Sequence, residues 1–76
     1  MEYSIIACAT DGRQLTGSGY SGHASMHRAV EERILHHNRG TTLLICIVVV
    51  RADGVTFKLE DLRSCSALSA LYASKI

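Results

Sequence analysis

The longest apolar run of the chain, residues 43–50, is the feature that most limits what it can fold into. The run is far shorter than the roughly 20 residues that a membrane-spanning helix needs. It is rich in β-branched residues and lies between Thr41-Thr42 and Arg51, so it predicts a strand over residues 41–51. No polar residue alternates with the apolar ones. The pattern therefore predicts burial on both faces, as in the central strand of a covered sheet.

Two Asp-Gly pairs predict hairpins. Asp11-Gly12 follows a short apolar strand over residues 3–10 and precedes a return strand over residues 13–19. Asp53-Gly54 follows the central strand, and residues 55–58 return from it. Asp-Gly favours positive φ at both central turn positions, which is the strongest short hairpin signal in a sequence.

Two segments have helical periodicity. Met26, Ala29, Val30 and Ile34 predict a helix that begins near Ser25 and ends at Gly40. A second helix is predicted from the spacing of Leu62, Cys65, Leu68, Leu71 and Tyr72. The sequence thus predicts one small α/β domain over residues 1–76, in ββα–ββα order, with a small mixed sheet packed by two helices as an α+β sandwich.

Composition narrows the function classes. A chain of 76 residues has a thin core, and its three cysteines cannot form a closed disulfide set. Help from a metal or a partner subunit is therefore expected. The net charge of +1 gives no support for nucleic-acid binding. No signal peptide or membrane span is evident, and we expect a cytoplasmic protein.

Gly17, Gly19 and Gly22 have the spacing of the dinucleotide-binding fingerprint and precede a helix. That fingerprint needs a buried parallel strand before the glycines and an acidic residue about 20 residues after them. The segment before Gly17 is short and polar, and the acid after the next strand, Asp53, comes too late. A flexible loop is the favoured interpretation, and nucleotide binding by these glycines is an alternative.

Histidines and cysteines supply the other candidate chemistry. His23 and His27 are four residues apart, but His23 is expected in a loop, and Ala24 stands where a His-Glu-x-x-His motif has its Glu. His36 and His37 are expected to be solvated residues at the helix end. Cys8 and Cys46 are expected to be small buried hydrophobic residues. Cys65 opens a helix, so Cys65 and His27 could form half a zinc site or a Cys–His nucleophile pair.

The assembled pattern resembles the cytidine-deaminase-like superfamily, particularly its blasticidin-deaminase-like members. The resemblance is carried by Tyr3-Ser4 through Asp11-Gly12-Arg13 to Thr16-Gly17, Met26-His27, Leu44 to Val50 with Asp53-Gly54, and Ser64-Cys65. It implies that His27 and Cys65 correspond to zinc ligands. It also implies that Ala29 replaces the proton-shuttling Glu and that Leu68 replaces the third ligand.

The resemblance with these replacements predicts a deaminase-like domain that no longer catalyses. We expect it to act as an interaction or assembly module, with a homo-oligomer as the first expectation and another protein as a possible partner. Arg28, Glu31, Glu32 and Tyr72 are candidate interface residues because their spacing predicts exposure. The alternative is a small zinc- or thiol-dependent hydrolase or deaminase that uses His27 and Cys65.

Overall fold

The fold is a four-stranded antiparallel sheet with two short helices. The computed structural model describes residues 1–62 and 65–73, without the side chains of residues 65–68. The elements in chain order are β1 (Glu2–Ala9), β2 (Gln14–Ser21), α1 (Gly22–Asn38), β3 (Leu44–Arg51), β4 (Thr56–Leu59) and α2 (Cys65–Ala73). The general α/β class is as the sequence predicted.

The strand order in the sheet is β2-β1-β3-β4, and each neighbouring pair is antiparallel. The prediction of a mixed sheet was therefore wrong. The reason is topological. The helix α1 carries the chain back across the sheet, so β3 runs parallel to β2, but β1 lies between these two strands and separates them.

The core lies between the helices and one face of the sheet. Burial alternates along β1, where Tyr3, Ile5, Ala7 and Ala9 are buried and the residues between them are not. A fully buried aliphatic side chain contributes about 1.5–3 kcal/mol to folding. The same cluster includes residues of both helices and of the other central strand, namely Met26, Val30, Ile34, Ile47, Val49 and Leu71. Both helices therefore pack on the same face of the sheet.

The strand β3 is central, but the prediction that both its faces are covered was wrong. Ile47 and Val49 face the helices and are fully buried, whereas Val48 and Val50 are only half-buried. A shift in register beside Ile45 leaves that residue 62% exposed. The apolar run is continuous because β3 carries apolar side chains on the core face and also on the opposite face, which no element of residues 1–62 and 65–73 covers.

Both hairpin turns lie at the Asp-Gly pairs, but their geometry differs from the expected one. Within each Asp-Gly pair, the glycine (Gly12 or Gly54) has a positive φ and the aspartate does not. In the first turn, Ala9 donates its N–H to Arg13 and accepts one from Gly12, and Arg51 makes the same pair of bonds with Val55 and Gly54. This is the pattern of a three-residue loop that ends in a left-handed glycine.

The helix α1 begins earlier than the sequence predicted. Its N-terminal cap is Ser21 rather than Ser25, and Gly22, its first residue, has a φ of +80°. The chain therefore passes from β2 into α1 without an intervening loop. The end is close to the prediction, because Gly40 adopts a φ of +78° just after the helix.

Candidate functional site

A cluster of four rings joins the start of α1 to β1 and α2. We call Tyr3, His23, His27 and Tyr72 the ring cluster. The rings of His23 and His27 are parallel, with centroids 5.8 Å apart. His27 also meets Tyr72 edge to face at 5.0 Å, and His23 lies 5.7 Å from Tyr3. The prediction that His23 lies in a loop was wrong, because it is in the first turn of α1.

The donor atoms around His27 do not amount to a metal centre in the described part of the chain. Within residues 1–62 and 65–73, no three His, Cys, Asp or Glu side chains are grouped closely enough to hold a metal ion. Cys65 is the first residue of α2, but its side chain and that of Leu68 lie outside the described atoms. The contact of His27 with α2 is at Tyr72, near the other end of that helix. The zinc or nucleophile pair of His27 and Cys65 stays a prediction.

Ala29 stands where the resemblance expects the catalytic Glu. Its side chain is buried in the core. Its carbonyl oxygen accepts a hydrogen bond of 2.9 Å from Arg33, and the same guanidinium donates to the hydroxyl of Tyr20 at 3.0 Å. Position 29 itself therefore carries no carboxylate, and the Arg33 guanidinium beside it is bonded to Tyr20 and to the Ala29 carbonyl.

The glycine-rich segment is not the flexible loop that the sequence favoured. Gly17 lies within β2 opposite Ile5 of β1, Gly19 lies in β2 where the register is irregular, and Gly22 begins α1. The N–H of Gly22 is already bonded to the carbonyl oxygen of Met1 at 3.0 Å. A phosphate cradle needs a parallel strand that leads into a loop of unpaired N–H groups, and this antiparallel strand does not provide that arrangement.

Gly17 instead leaves space for two side chains that pack over β2. A Cβ atom at this position would lie 2.5 Å from the hydroxyl oxygen of Tyr20 and 2.8 Å from Arg33. Its φ is not in the left-handed region. The glycine therefore makes room for the Tyr20–Arg33 hydrogen bond, which ties β2 to α1.

His37 is a buried polar residue, although its position at the end of α1 predicts exposure to solvent. It is 8% exposed, and its Nδ1 accepts a 2.9 Å hydrogen bond from the backbone N–H of Leu44. The expectation of a solvated residue holds for His36, which is exposed, but was wrong for His37. The helical spacing does indicate burial of His37, because it continues the spacing of Met26, Val30 and Ile34 along the buried side of α1.

The face of the sheet away from the helices is apolar along its two central strands. We call it the open face, and its centre consists of Ile6, Cys8, Cys46, Val48 and Val50. Cys46 is 7% exposed, and the other four are half-buried. The prediction of a buried cysteine therefore holds for Cys46, whereas Cys8 is only partly covered.

Polar residues surround the open face. Gln14 and Thr16 of β2 and Thr56 and Lys58 of β4 are all exposed. Lys58 lies 3.3 Å from Glu60, and this ion pair raises the pKa of the Lys58 ammonium. The open face thus has an apolar centre with a polar rim, which is the composition of a protein–protein contact.

A separate cavity of about 270 Å³ lies between α1 and the sheet. Its apolar part is formed by Ala7, Leu15 and Leu44, and its polar part by Glu32, Arg33, His36 and the half-buried Thr42. The guanidinium of Arg33 is already bonded to Tyr20 and Ala29. This leaves Glu32 and His36 as the exposed polar groups of the cavity, without a converging set of donors.

No protein-family model, curated protein or solved structure matches this chain. The resemblance to the cytidine-deaminase-like superfamily therefore stays a prediction from the sequence. In residues 1–62 and 65–73, neither helix is long and apolar enough to cross a membrane.

Proposed function

We propose that this chain is a catalytically inert, deaminase-like module that assembles with a second copy of itself through the open face. The observation that carries the proposal is the apolar centre of this face, which no described helix covers. Ile6 and Val48 are directly opposite each other on adjacent strands, and both are half-buried in the single chain. Covering them with another apolar surface would be favourable.

The area of the open face supports a second copy as the occupant. Three strands of eight residues and one of four give about 440 Å² of flat sheet per chain, from a rise of about 3.3 Å and a strand spacing of about 4.8 Å. Two such faces give about 900 Å², just below the roughly 1,000 Å² of a stable specific interface, which is the size range of weak and transient complexes. Stacked sheets also pack face to face about 10 Å apart in known folds. The expected complex is a symmetric dimer of modest affinity.

The edges of the sheet are less suited to assembly than its face. The edge strand β4 has only four residues and carries the charged Lys58. The other edge strand, β2, contains Gly17 and Gly19 and has an irregular register opposite Ser4. Short, charged or bulged edges disfavour pairing with another strand.

The absence of catalysis is supported by the environment of Ala29. A general acid/base contributes typically 10²–10⁴-fold to such reactions. The position that the resemblance assigns to it holds a buried methyl group. Deamination by the family mechanism would need a carboxylate at that point.

The substitution Val48→Glu tests the proposal. Val48 lies beside Lys58 in the sheet, so the new carboxylate gains an opposite charge on its own chain. In the dimer, the same carboxylate would be buried, which costs much more than it gains. We expect the dimer dissociation constant to rise at least about tenfold, equivalent to about 1.4 kcal/mol. Sedimentation equilibrium across the micromolar range measures this change.

Ser25→Glu is the matched control. Ser25 is exposed on the first turns of α1, on the side of the molecule away from the open face, and the charge change is identical. Far-ultraviolet circular dichroism checks that both variants are folded. Wild-type protein that stays monomeric at high micromolar concentration would overturn the proposal. So would a Val48→Glu protein that associates as strongly as Ser25→Glu.

A further inference from the structure

We propose that Cys8 and Cys46 form a thiol pair that closes reversibly to a disulfide across β1 and β3, by exchange with a small-molecule disulfide. From the sequence alone, both residues are expected to be small buried hydrophobic groups. Neither is bonded to another cysteine in the structure. The bond would form within one chain, and the exchange takes place on the dissociated chain, because self-association through the open face would cover Cys8.

The backbone places the two residues directly opposite each other. Cys8 and Cys46 are register partners in the antiparallel pair of β1 and β3. Opposite residues on such a pair have Cα atoms about 4.5 or 5.5 Å apart, and their side chains point to the same face. Both separations lie within the range of about 4.4–6.8 Å that disulfides span. The strands therefore need no large movement to allow the bond.

The side chains of Cys8 and Cys46 also point to the same face of the sheet, the open face. The Cys8 thiol is close enough to contribute to the raised pKa of the Cys46 thiol. The register of β1 and β3 shifts immediately beside this pair, between Cys8 and Ala9. An irregularity of this kind bends the strand locally and re-aims neighbouring side chains.

The two thiols have different surroundings, which assigns them different roles. Cys8 is half-buried and accessible from the open face, whereas Cys46 is 7% exposed. Burial raises the pKa of the Cys46 thiol, and its contact with Cys8 adds to the increase, while the charge of Lys58 opposes it. Cys8 is thus the residue that meets an external disulfide, and Cys46 is the residue that completes the exchange.

The chemistry balances as two exchange steps. The Cys8 thiolate attacks one sulfur of the small disulfide, its S–S bond breaks, and one small thiolate leaves and takes up the proton that Cys8 lost. The Cys46 thiolate then attacks Sγ of Cys8 in the mixed disulfide and releases the second small thiolate, which takes up the proton from Cys46. Two electrons pass from the protein pair to the small disulfide, which is reduced to two thiols.

The test uses the full chain with Cys65→Ser, so that Cys8 and Cys46 are the remaining thiols. The protein is equilibrated with glutathione buffers of graded ratio, quenched with acid, alkylated and weighed as the denatured chain. We expect a single-chain species lighter by two hydrogens that resists alkylation, and that returns to the dithiol in reducing buffer. Wild-type protein treated in the same way checks that the serine has not created the pairing.

Cys8→Ser and Cys46→Ser in the same background are the matched controls. Each has one thiol and can only take up one glutathione. The proposal is overturned if the two-thiol protein also stops at glutathione adducts, or if its disulfides join different chains. This readout is the mass of the denatured chain, whereas self-association is read from the native protein, so failure of one proposal is distinguishable from failure of the other.

Discussion

At the scale of single residues, His37 shows how a polar side chain can be part of the core of a small domain. Its ring lies on the buried side of α1, and its Nδ1 atom accepts the N–H of Leu44 at the start of β3. An acceptor at Nδ1 requires the proton of the neutral ring to be on Nε2. The hydrogen bond joins the end of α1 to the first residue of β3, so it fixes how the chain re-enters the sheet.

Replacing His37 with Leu should therefore destabilise the fold. The new side chain would keep the site apolar but leave the N–H of Leu44 without an acceptor, at a cost of about 1–3 kcal/mol. Urea unfolding at fixed protein concentration measures the loss. His36→Leu is the control, because His36 is exposed, and its substitution should stay within about 0.5 kcal/mol of wild type. Equal stability of the two variants would contradict the role assigned to His37.

At the scale of elements, the two hairpins have the same backbone turn. In each turn the Asp side chain is hydrogen-bonded to a neighbouring Arg side chain and to a backbone N–H, which we call the bracing of the turn. Asp11 accepts hydrogen bonds from the backbone and side chain of Arg13. Asp53 accepts from the backbone N–H of Val55 and from Arg51, whose Nη2 lies 2.6 Å from its Oδ2. The sequence predicted both turns from Asp-Gly, but not the arginine contacts. The Arg lies two residues after Asp11 but two residues before Asp53, so no single sequence spacing indicates an Asp–Arg contact.

The bracing of Asp53 has a measurable pH dependence. The Arg51 hydrogen bond, with help from the Val55 N–H, lowers the pKa of the Asp53 carboxyl from 3.8 to about 2. Because the folded pKa is depressed, the contribution to stability is complete above the ordinary pKa of 3.8 and is lost as the pH falls through about 2. Titration of the carboxyl carbon by NMR should show Arg51→Gln moving this pKa back up toward 3.8.

The substitution Arg13→Gln tests whether the two turns are braced independently. Asp11 also has a lowered pKa, chiefly because its carboxylate accepts the backbone N–H of Arg13. Removing the Arg13 guanidinium should therefore raise the pKa of Asp11 only in part and leave that of Asp53 unchanged. A shift of Asp53 in the Arg13 variant, or none in the Arg51 variant, would be inconsistent with two independently braced turns.

At the scale of the whole molecule, the sequence predicted the elements better than their arrangement. The helical spacing from Met26 to Ile34 located α1, and the apolar run located β3. The same run suggested a covered strand, because periodicity reports which side chains are apolar and not which of them another layer covers. The ring cluster and the Cys8–Cys46 pair could not be predicted from the sequence either, because both depend on the register and packing of elements that are distant in the chain.

The uncovered face also bears on the stability of the whole molecule. If folded chains associate and unfolded chains do not, mass action stabilises the fold as the concentration rises. For a dimer, each tenfold increase in protein concentration raises the free energy of unfolding by about 0.7 kcal/mol per chain. This raises Tm by roughly 3–6 °C for a domain of this size. Val48→Glu should remove most of this dependence, whereas Ser25→Glu should keep it. Differential scanning calorimetry at several concentrations measures the slope, and a wild-type Tm that does not change with concentration would mean that the open face stays uncovered.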